Sequence, residues 1–191
     1  MSPNLTLSEI LLATYPLPPA SLEKLLALAE YMELPKGAVL FRDNALAHHV
    51  YVLQRGLARV YARRADREVT FWFSEEGSVV ASIRGYTEQA VSYETIELLE
   101  DSGLFRLNMR ALHALYREDL HLANWGRVLV ERVWQQTEQQ LIARQFRTAE
   151  ERYADLLAQK PHLLHRVALG HLASYLGITQ VTLSRVRAKL K

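Results

Sequence analysis

The chain has 191 residues, enough for one large domain or for a medium-sized domain with a small one appended. It contains no cysteine, which excludes disulfides, thiolate metal sites, iron–sulfur clusters and a cysteine nucleophile. Residues 160–191 hold six basic residues and no acidic one, whereas residues 1–159 hold 17 basic and 21 acidic residues. This asymmetry is typical of nucleic-acid binders, although a solvated basic tail would give the same count.

The N-terminal residues 1–13 have no cationic patch ahead of an apolar run, so they do not resemble a signal peptide. No segment approaches the roughly 20 apolar residues of a membrane-spanning helix. The sequence therefore predicts a cytoplasmic protein with no membrane partner.

The first third of the chain changes from a helical to a β-type pattern. The helical pattern runs from Leu7 to about Met32 with prolines at 16, 18 and 19, and Ser21 is its candidate N-cap. Short β-type runs separated by turn signals then predict a sandwich or a jelly-roll barrel. These runs are Val39–Phe41, Val50–Leu53, Leu57–Ala62, Val69–Phe73, Tyr93–Leu99 and Leu104–Leu107.

Two helices are predicted next, a short one capped by Asn108 and a long one from about Asp119 to Phe146. The long helix would span about 42 Å. Mainly apolar residues recur three and four positions apart and form a stripe along one face of this helix. The stripe predicts a dimer interface, with burial against the rest of the same chain as the alternative. The stripe comprises Leu122, Trp125, Leu129, Val133, Gln136 and Leu141.

A capping box at Thr148–Glu151 begins a further helix that ends near Lys160. The sequence therefore predicts three parts: a β-rich sensor domain over residues 1–118, a dimerisation helix over 119–147 and an all-helical domain over 148–191.

The segment Leu169–Leu190 has the pattern of a helix-turn-helix. Ala173 is small where two helices would cross, and Gly177 tolerates the positive φ of a turn. The apolar residues that would fill the wedge between the helices are Leu172, Leu176, Ile178, Leu183 and Val186.

The second helix of this motif, residues 179–190, is predicted to enter the major groove of double-stranded DNA. Thr179 would cap it, and Leu183, Val186 and Leu190 would face inward. The base-reading candidates are Gln180, Val181, Ser184 and Arg185, and the phosphate-binding candidates are Thr182, Arg187 and Lys189. A helical hairpin that binds a protein partner is the alternative.

Nearly the whole chain resembles the Crp/Fnr regulators. The matching features are KGAVLF at 36–41, LQRGLARV at 53–60 and Glu76–Gly77, and a short subgroup common in Bacteroidetes shares TAEERY at 148–153 and ASYLGITQVTLSRVRAK at 173–189. The resemblance implies an α+β fold with a cyclic-nucleotide-binding-like jelly roll, a long dimerisation helix and a C-terminal helix-turn-helix. It also implies a homodimer that binds DNA, with RNA polymerase as a further partner.

The ligand loop departs from the family pattern. Where relatives that bind cyclic nucleotides place a ribose-binding acid this chain has Ser82, and where they place a phosphate-binding arginine it has Ser92. Serine supplies neither charge nor a bidentate donor, so we expect no cAMP binding and leave the effector unassigned. Two alternatives remain: the loop binds a different ligand, or its pocket is empty. The candidate loop residues are Ser82, Ile83, Arg84, Gly85, Tyr86, Ser92 and Tyr93.

The remaining motifs predict neither a metal site nor catalysis. His162, His165 and His171 could suggest a metal site, but Pro161 interrupts the helix and no carboxylate lies between residues 156 and 191. No phosphate loop, nucleophile elbow or metalloprotease signature is present.

The sequence ends at Lys191 without the β-hairpin wing of larger relatives, which predicts salt-sensitive DNA binding.

Overall fold

The computed structural model describes residues 5–65 and 67–189 and confirms the α+β class. Its helices are α1 (Leu7–Thr14), α2 (Pro19–Leu28), α3 (Ile83–Glu88), α4 (Met109–Glu118), α5 (Leu120–Phe146), α6 (Ala149–Gln159), α7 (Leu163–Arg166), α8 (Leu169–Leu176) and α9 (Gln180–Lys189). Its strands are β1 (Ala29–Leu34), β2 (Val39–Phe41), β3 (His49–Arg55), β4 (Ala58–Arg64), β5 (Arg67–Ser74), β6 (Val79–Val80), β7 (Thr95–Leu98) and β8 (Ser102–Asn108).

The strands form two four-stranded sheets, in the orders β1-β8-β3-β6 and β2-β7-β4-β5. One buried apolar cluster draws side chains from both sheets, so the sheets face each other across it. In the first sheet β3 runs antiparallel to β8, with Leu53 opposite Leu104. The alternation of side chains along a strand then sends Val52 to the other face.

That other face is covered by helices. Val52 belongs to a second cluster that includes side chains of α1, α2, α4 and the first part of α5. The Trp125 side chain of α5 is fully buried there, and its indole N–H donates to the Leu11 carbonyl over 2.9 Å. A buried tryptophan needs such an acceptor for its single donor.

The N-terminal helix differs from the sequence prediction. Ser21 is not a cap, because α2 already begins at Pro19 and proline is well suited to the first helical position. The helix also ends at Leu28 rather than near Met32, because the following residues pair as β1 with the distant strand β8. Strand β6 and helix α3 were not predicted.

Asp119 fixes the start of α5. Its carboxylate accepts hydrogen bonds from the amide of His121 at 3.0 Å, from the Lys24 ammonium at 2.9 Å and from the Ser21 hydroxyl at 3.0 Å. The Lys24 hydrogen bond is the largest cause that lowers the pKa of Asp119 from 3.8 to about 2.

We expect Asp119→Asn to lower the free energy of unfolding at neutral pH. A carboxyl whose pKa is depressed in the folded state stabilises it above the unfolded-state pKa of 3.8, and this contribution is lost as the pH falls to about 2. Urea unfolding between pH 7 and pH 2 should therefore show a difference from wild type that shrinks below pH 4. Glu118→Gln, at the exposed neighbouring position, is the control. A difference that stays constant with pH would contradict the assignment.

The chain divides into two compact units. The first unit comprises the residues up to Val60 together with Phe73–Arg132, and the second comprises Tyr61–Trp72 together with the residues from Val133 onward. In this division α5 is shared between the two units, and the part of β4 and β5 within Tyr61–Trp72 belongs to the second. None of the helices formed by the described residues combines the length and the apolar character that a membrane crossing requires.

Candidate functional site

Helices α6, α7, α8 and α9 of the second unit share a buried apolar core. Leu183 and Val186 of α9 face this core, as predicted, whereas Leu190 lies outside the described residues. The other buried members are Tyr153, Leu156, Leu163, Val167, Leu172, Ala173 and Leu176.

The turn between α8 and α9 has the predicted geometry. Ala173 is 2% exposed at the point where the helices meet, and Gly177 has φ +69°. The Ile178 amide donates to the Ala173 carbonyl over 3.0 Å, and the Gly177 amide donates to the Ser174 carbonyl over 3.2 Å. This is a Schellman ending, in which a left-handed residue reverses the chain and satisfies the last carbonyls of the helix.

Helix α9 presents to solvent a face that is polar except for Val181. Its first turn is capped by Thr179, whose hydroxyl accepts from the Thr182 amide at 3.1 Å. Among the residues that the structure describes, Arg185 has no hydrogen-bond or ion-pair partner, so its guanidinium is available to a ligand. The predicted base-reading side chains Gln180, Val181, Ser184 and Arg185 are all exposed.

The predicted phosphate-binding side chains are less uniform. Thr182 and Arg187 are half-buried, and the Thr182 hydroxyl shares a hydrogen bond with that of Thr179 at 2.9 Å. Lys189 is exposed and pairs with Glu150 over 3.3 Å. A surface pair of this kind contributes about 0–1 kcal/mol, so a phosphate could displace it.

Hydrogen bonds within the second unit hold α8 in place. The Ser174 hydroxyl accepts a hydrogen bond from the Thr70 amide at 2.8 Å and donates one to the Glu68 carbonyl at 2.9 Å. It therefore satisfies two backbone groups of β5, as a neighbouring strand would. The Arg144 guanidinium donates to the carbonyls of Thr70 and Tyr175, each at 3.1 Å. Sequence analysis missed these residues, because their partners are backbone atoms far away in the chain.

The long helix changes its environment along its length. Leu122 and Trp125 are fully buried in the first unit's own core, and Leu129 packs against that core. This corrects the assignment of Leu122 and Trp125 to a dimer interface, since side chains fully covered by their own chain have no surface left for a partner, whereas half-buried Leu129 keeps part of its surface.

The second half of α5 carries exposed apolar side chains. Val133, Gln136 and Leu141 of the predicted stripe are exposed, Leu141 by 58%. Trp134, which the stripe did not include, is 71% exposed and lies one residue away from it. Trp134 and Leu141 are seven residues apart, so they lie on one helix face.

In the candidate effector loop, the two serines Ser82 and Ser92 are both buried and bonded internally. The Ser82 hydroxyl accepts from the Gly85 amide at 3.3 Å and caps α3. The Ser92 hydroxyl donates to the Glu94 carbonyl at 2.9 Å and accepts from the Glu94 amide at 3.2 Å. Both hydroxyls therefore take part in hydrogen bonds within the loop.

A buried carboxylate that sequence analysis missed lies in the same loop. Glu94 is 3% exposed, and its Oε1 accepts from the Ile83 amide at 3.2 Å. Its Oε2 is buried without a hydrogen-bond partner among the described residues. Arg84 is engaged with Glu88 at 3.3 Å. The loop therefore places a buried carboxyl group next to Ser92.

The remaining loop candidates are structural or exposed. Tyr93 is 50% exposed. Tyr86 is buried, burial raises its pKa, and its hydroxyl bonds that of Tyr116 at 2.8 Å. Gly85 is buried, and a Cβ there would lie 2.6 Å from that of Ala47. Within the described part of the chain, no group of three His, Cys, Asp or Glu side chains could hold a metal ion.

Comparison with known proteins gives a family match for part of the chain and matches to solved structures over most of it. Residues 31–119 match the model of the cyclic nucleotide-binding domain. FixK2 from Bradyrhizobium japonicum has a TM-score of 0.77 at 20% identity, with 85% of this chain and 84% of that chain covered. The c-di-GMP responsive global regulator CLP from Xanthomonas campestris has a TM-score of 0.72 at 19% identity, with 90% of each chain covered.

The catabolite activator protein of Thermus thermophilus has a TM-score of 0.60 at 21% identity, with 95% of this chain and 86% of that chain covered. No curated protein matches the chain by sequence. At these identities the structural likeness establishes a shared fold.

Proposed function

We propose that this chain, which contains a cyclic nucleotide-binding domain and shares the fold of the Crp/Fnr regulators, is a homodimeric DNA-binding transcription regulator. The observation that carries the proposal is the exposed face of α9, with Gln180, Val181 and Arg185 on a helix-turn-helix whose inner face is buried. As such a regulator it would act in the cytoplasm, with RNA polymerase as a further partner.

The chemistry of this face suits base edges in a major groove. An arginine binds guanine in a bidentate manner, a glutamine binds adenine in the same way, and a valine contacts the methyl group of thymine. Arg185, Gln180 and Val181 supply one of each. The net positive charge of residues 160–191 would attract the phosphate backbone around them.

A second copy of the chain is the partner that would cover the exposed half of α5. Trp134 and Leu141 expose apolar surface to water along one face of this helix. Pairing two such helices buries both stripes and gives the dimer a twofold axis. The operator should then be pseudo-palindromic, with half-sites about 34 Å apart.

The effector is predicted not to be cAMP. The buried serines at 82 and 92 supply no charged donor, and if the buried Glu94 is ionised, its carboxylate repels a cyclic phosphate. Calorimetric titration should give no binding of cAMP or cGMP at micromolar concentration, and saturable micromolar binding would overturn the prediction.

Titration of the Glu94→Gln variant separates the two causes. If the missing arginine excludes the phosphate, then the variant also binds no cAMP. A variant that gains binding would show that the buried charge alone closes the pocket to anions.

The experiment that tests the proposed function is selection of bound sequences from a random DNA pool, with wild type and with the double variant Gln180→Ala/Arg185→Ala. We expect wild type to enrich a pseudo-palindrome that the double variant does not enrich. Failure of wild type to enrich any sequence, together with DNA binding that is insensitive to salt, would favour the alternative in which the C-terminal helices bind a protein.

A further inference from the structure

Gly170 lies in the first turn of α8, directly under the side chain of Gln180. A Cβ built at Gly170 would lie 2.4 Å from Nε2 of Gln180 and 3.5 Å from its Cδ. The terminal amide of Gln180, rather than its aliphatic stem, therefore occupies the place that a side chain at position 170 would take.

The backbone does not require glycine at this position. Gly177 has φ +69°, whereas Gly170 lies inside α8 with no such positive value. Glycine is less favourable than alanine in a helix, because it loses more conformational freedom on folding. The contact with Gln180 is the feature of the structure that alanine would disturb.

We propose that Gly170 is a positioning residue for base recognition: it leaves room for the Gln180 amide to pack against α8, which orients the amide before DNA is bound. This inference rests on the proposed function. A side chain that is already ordered loses less rotamer freedom on binding, so its hydrogen bonds contribute more to discrimination between bases. A methyl group at position 170 would push the amide out of its place.

Gly170→Ala should impair base recognition and should not destabilise the fold. The clash involves the far end of a flexible side chain, which can swing into solvent because Gln180 is exposed. The thermal midpoint of the variant should therefore equal or exceed that of wild type.

The test uses the full chain and the operator obtained by selection. Affinities of wild type, Gly170→Ala, Gln180→Ala and the double variant are measured by fluorescence anisotropy for the operator and for its single-base variants. Wild type should prefer the selected base at the Gln180 position by about tenfold, as expected for a bidentate contact. Gly170→Ala should lose most of this preference, and the double variant should match Gln180→Ala.

An independent readout is the side-chain amide resonance of Gln180 in the DNA-free protein, identified by its loss in Gln180→Ala. It should shift in Gly170→Ala. A Gly170→Ala variant that keeps the wild-type preference while Gln180→Ala loses it would overturn the inference, and so would an unshifted resonance. A double variant that binds every DNA sequence more weakly than Gln180→Ala does would also overturn the inference, because the added methyl group would then act by shifting the backbone. If wild type selects no sequence at all, the proposed function fails instead.

Discussion

The double substitution Trp134→Glu/Leu141→Glu is expected to convert the dimer into monomers and to weaken binding to a palindromic operator by about 10²- to 10⁴-fold. Both side chains are exposed in the single chain, by 71% and 58%, so their replacement leaves the fold of each unit intact. In a pair of helices the four carboxylates would repel each other across the seam. A monomer would then bind one half-site without the gain in effective concentration that the second half-site provides.

Sedimentation velocity gives the oligomeric state, and anisotropy with full and half operators gives the affinity. Gln139→Glu is the matched control, because Gln139 is exposed on α5 two residues before Leu141 and thus on a different face. The control should remain dimeric. A double variant that sediments as a dimer would place the interface elsewhere, whereas equal affinities of wild type for full and half operators would argue against cooperative binding.

The features that the sequence predicted correctly are those with local causes. The capping box at Thr148 and the cap at Asn108 are present, because each needs only a side chain and an amide three residues away. The turn at Gly177 depends on one residue that tolerates positive φ. Most predicted strands were found for a similar reason, since alternation and turn residues mark them within a few positions.

The features that the sequence could not predict depend on distant partners. The periodicity of α5 shows that a stripe will be buried but not what will bury it, so Leu122 and Trp125 were assigned to a partner subunit although they pack on their own core. The segment Ala29–Leu34 continues a helical pattern, yet pairing with β8 makes it a strand. In both cases tertiary contacts override the local signal.

The candidate sites show the same division. The outward face of α9 followed from helical periodicity and from the burial of Leu183 and Val186. The buried Glu94 carried no sequence signal, because its position depends on the amide of Ile83, eleven residues earlier, and on the closure of the loop. Ser174 was equally hidden, since its partners are backbone atoms of β5.

Replacing Arg185 with alanine is expected to cost about 1–3 kcal/mol of binding free energy and to relax specificity at one base pair. Arg185 is exposed on α9 and has no ion-pair or hydrogen-bond partner among the described residues, so its guanidinium need not leave a protein partner to reach a base. The measurement is affinity for the selected operator and for its variants at each position. The loss should concentrate at a single position, with the other preferences retained.

Lys189→Ala is the matched control for this prediction. Lys189 is another exposed cation of α9, but it lies near the end of the helix and pairs with Glu150. If Lys189 binds phosphate, then its replacement should weaken binding to all DNA sequences about equally. It should also reduce the slope of log affinity against log salt concentration by about one unit. An Arg185→Ala variant with the same uniform loss would show that Arg185 binds the backbone as well. The base-reading role would then fall to Gln180 and Val181 alone, and the face of α9 would be too poor in donors to select guanine.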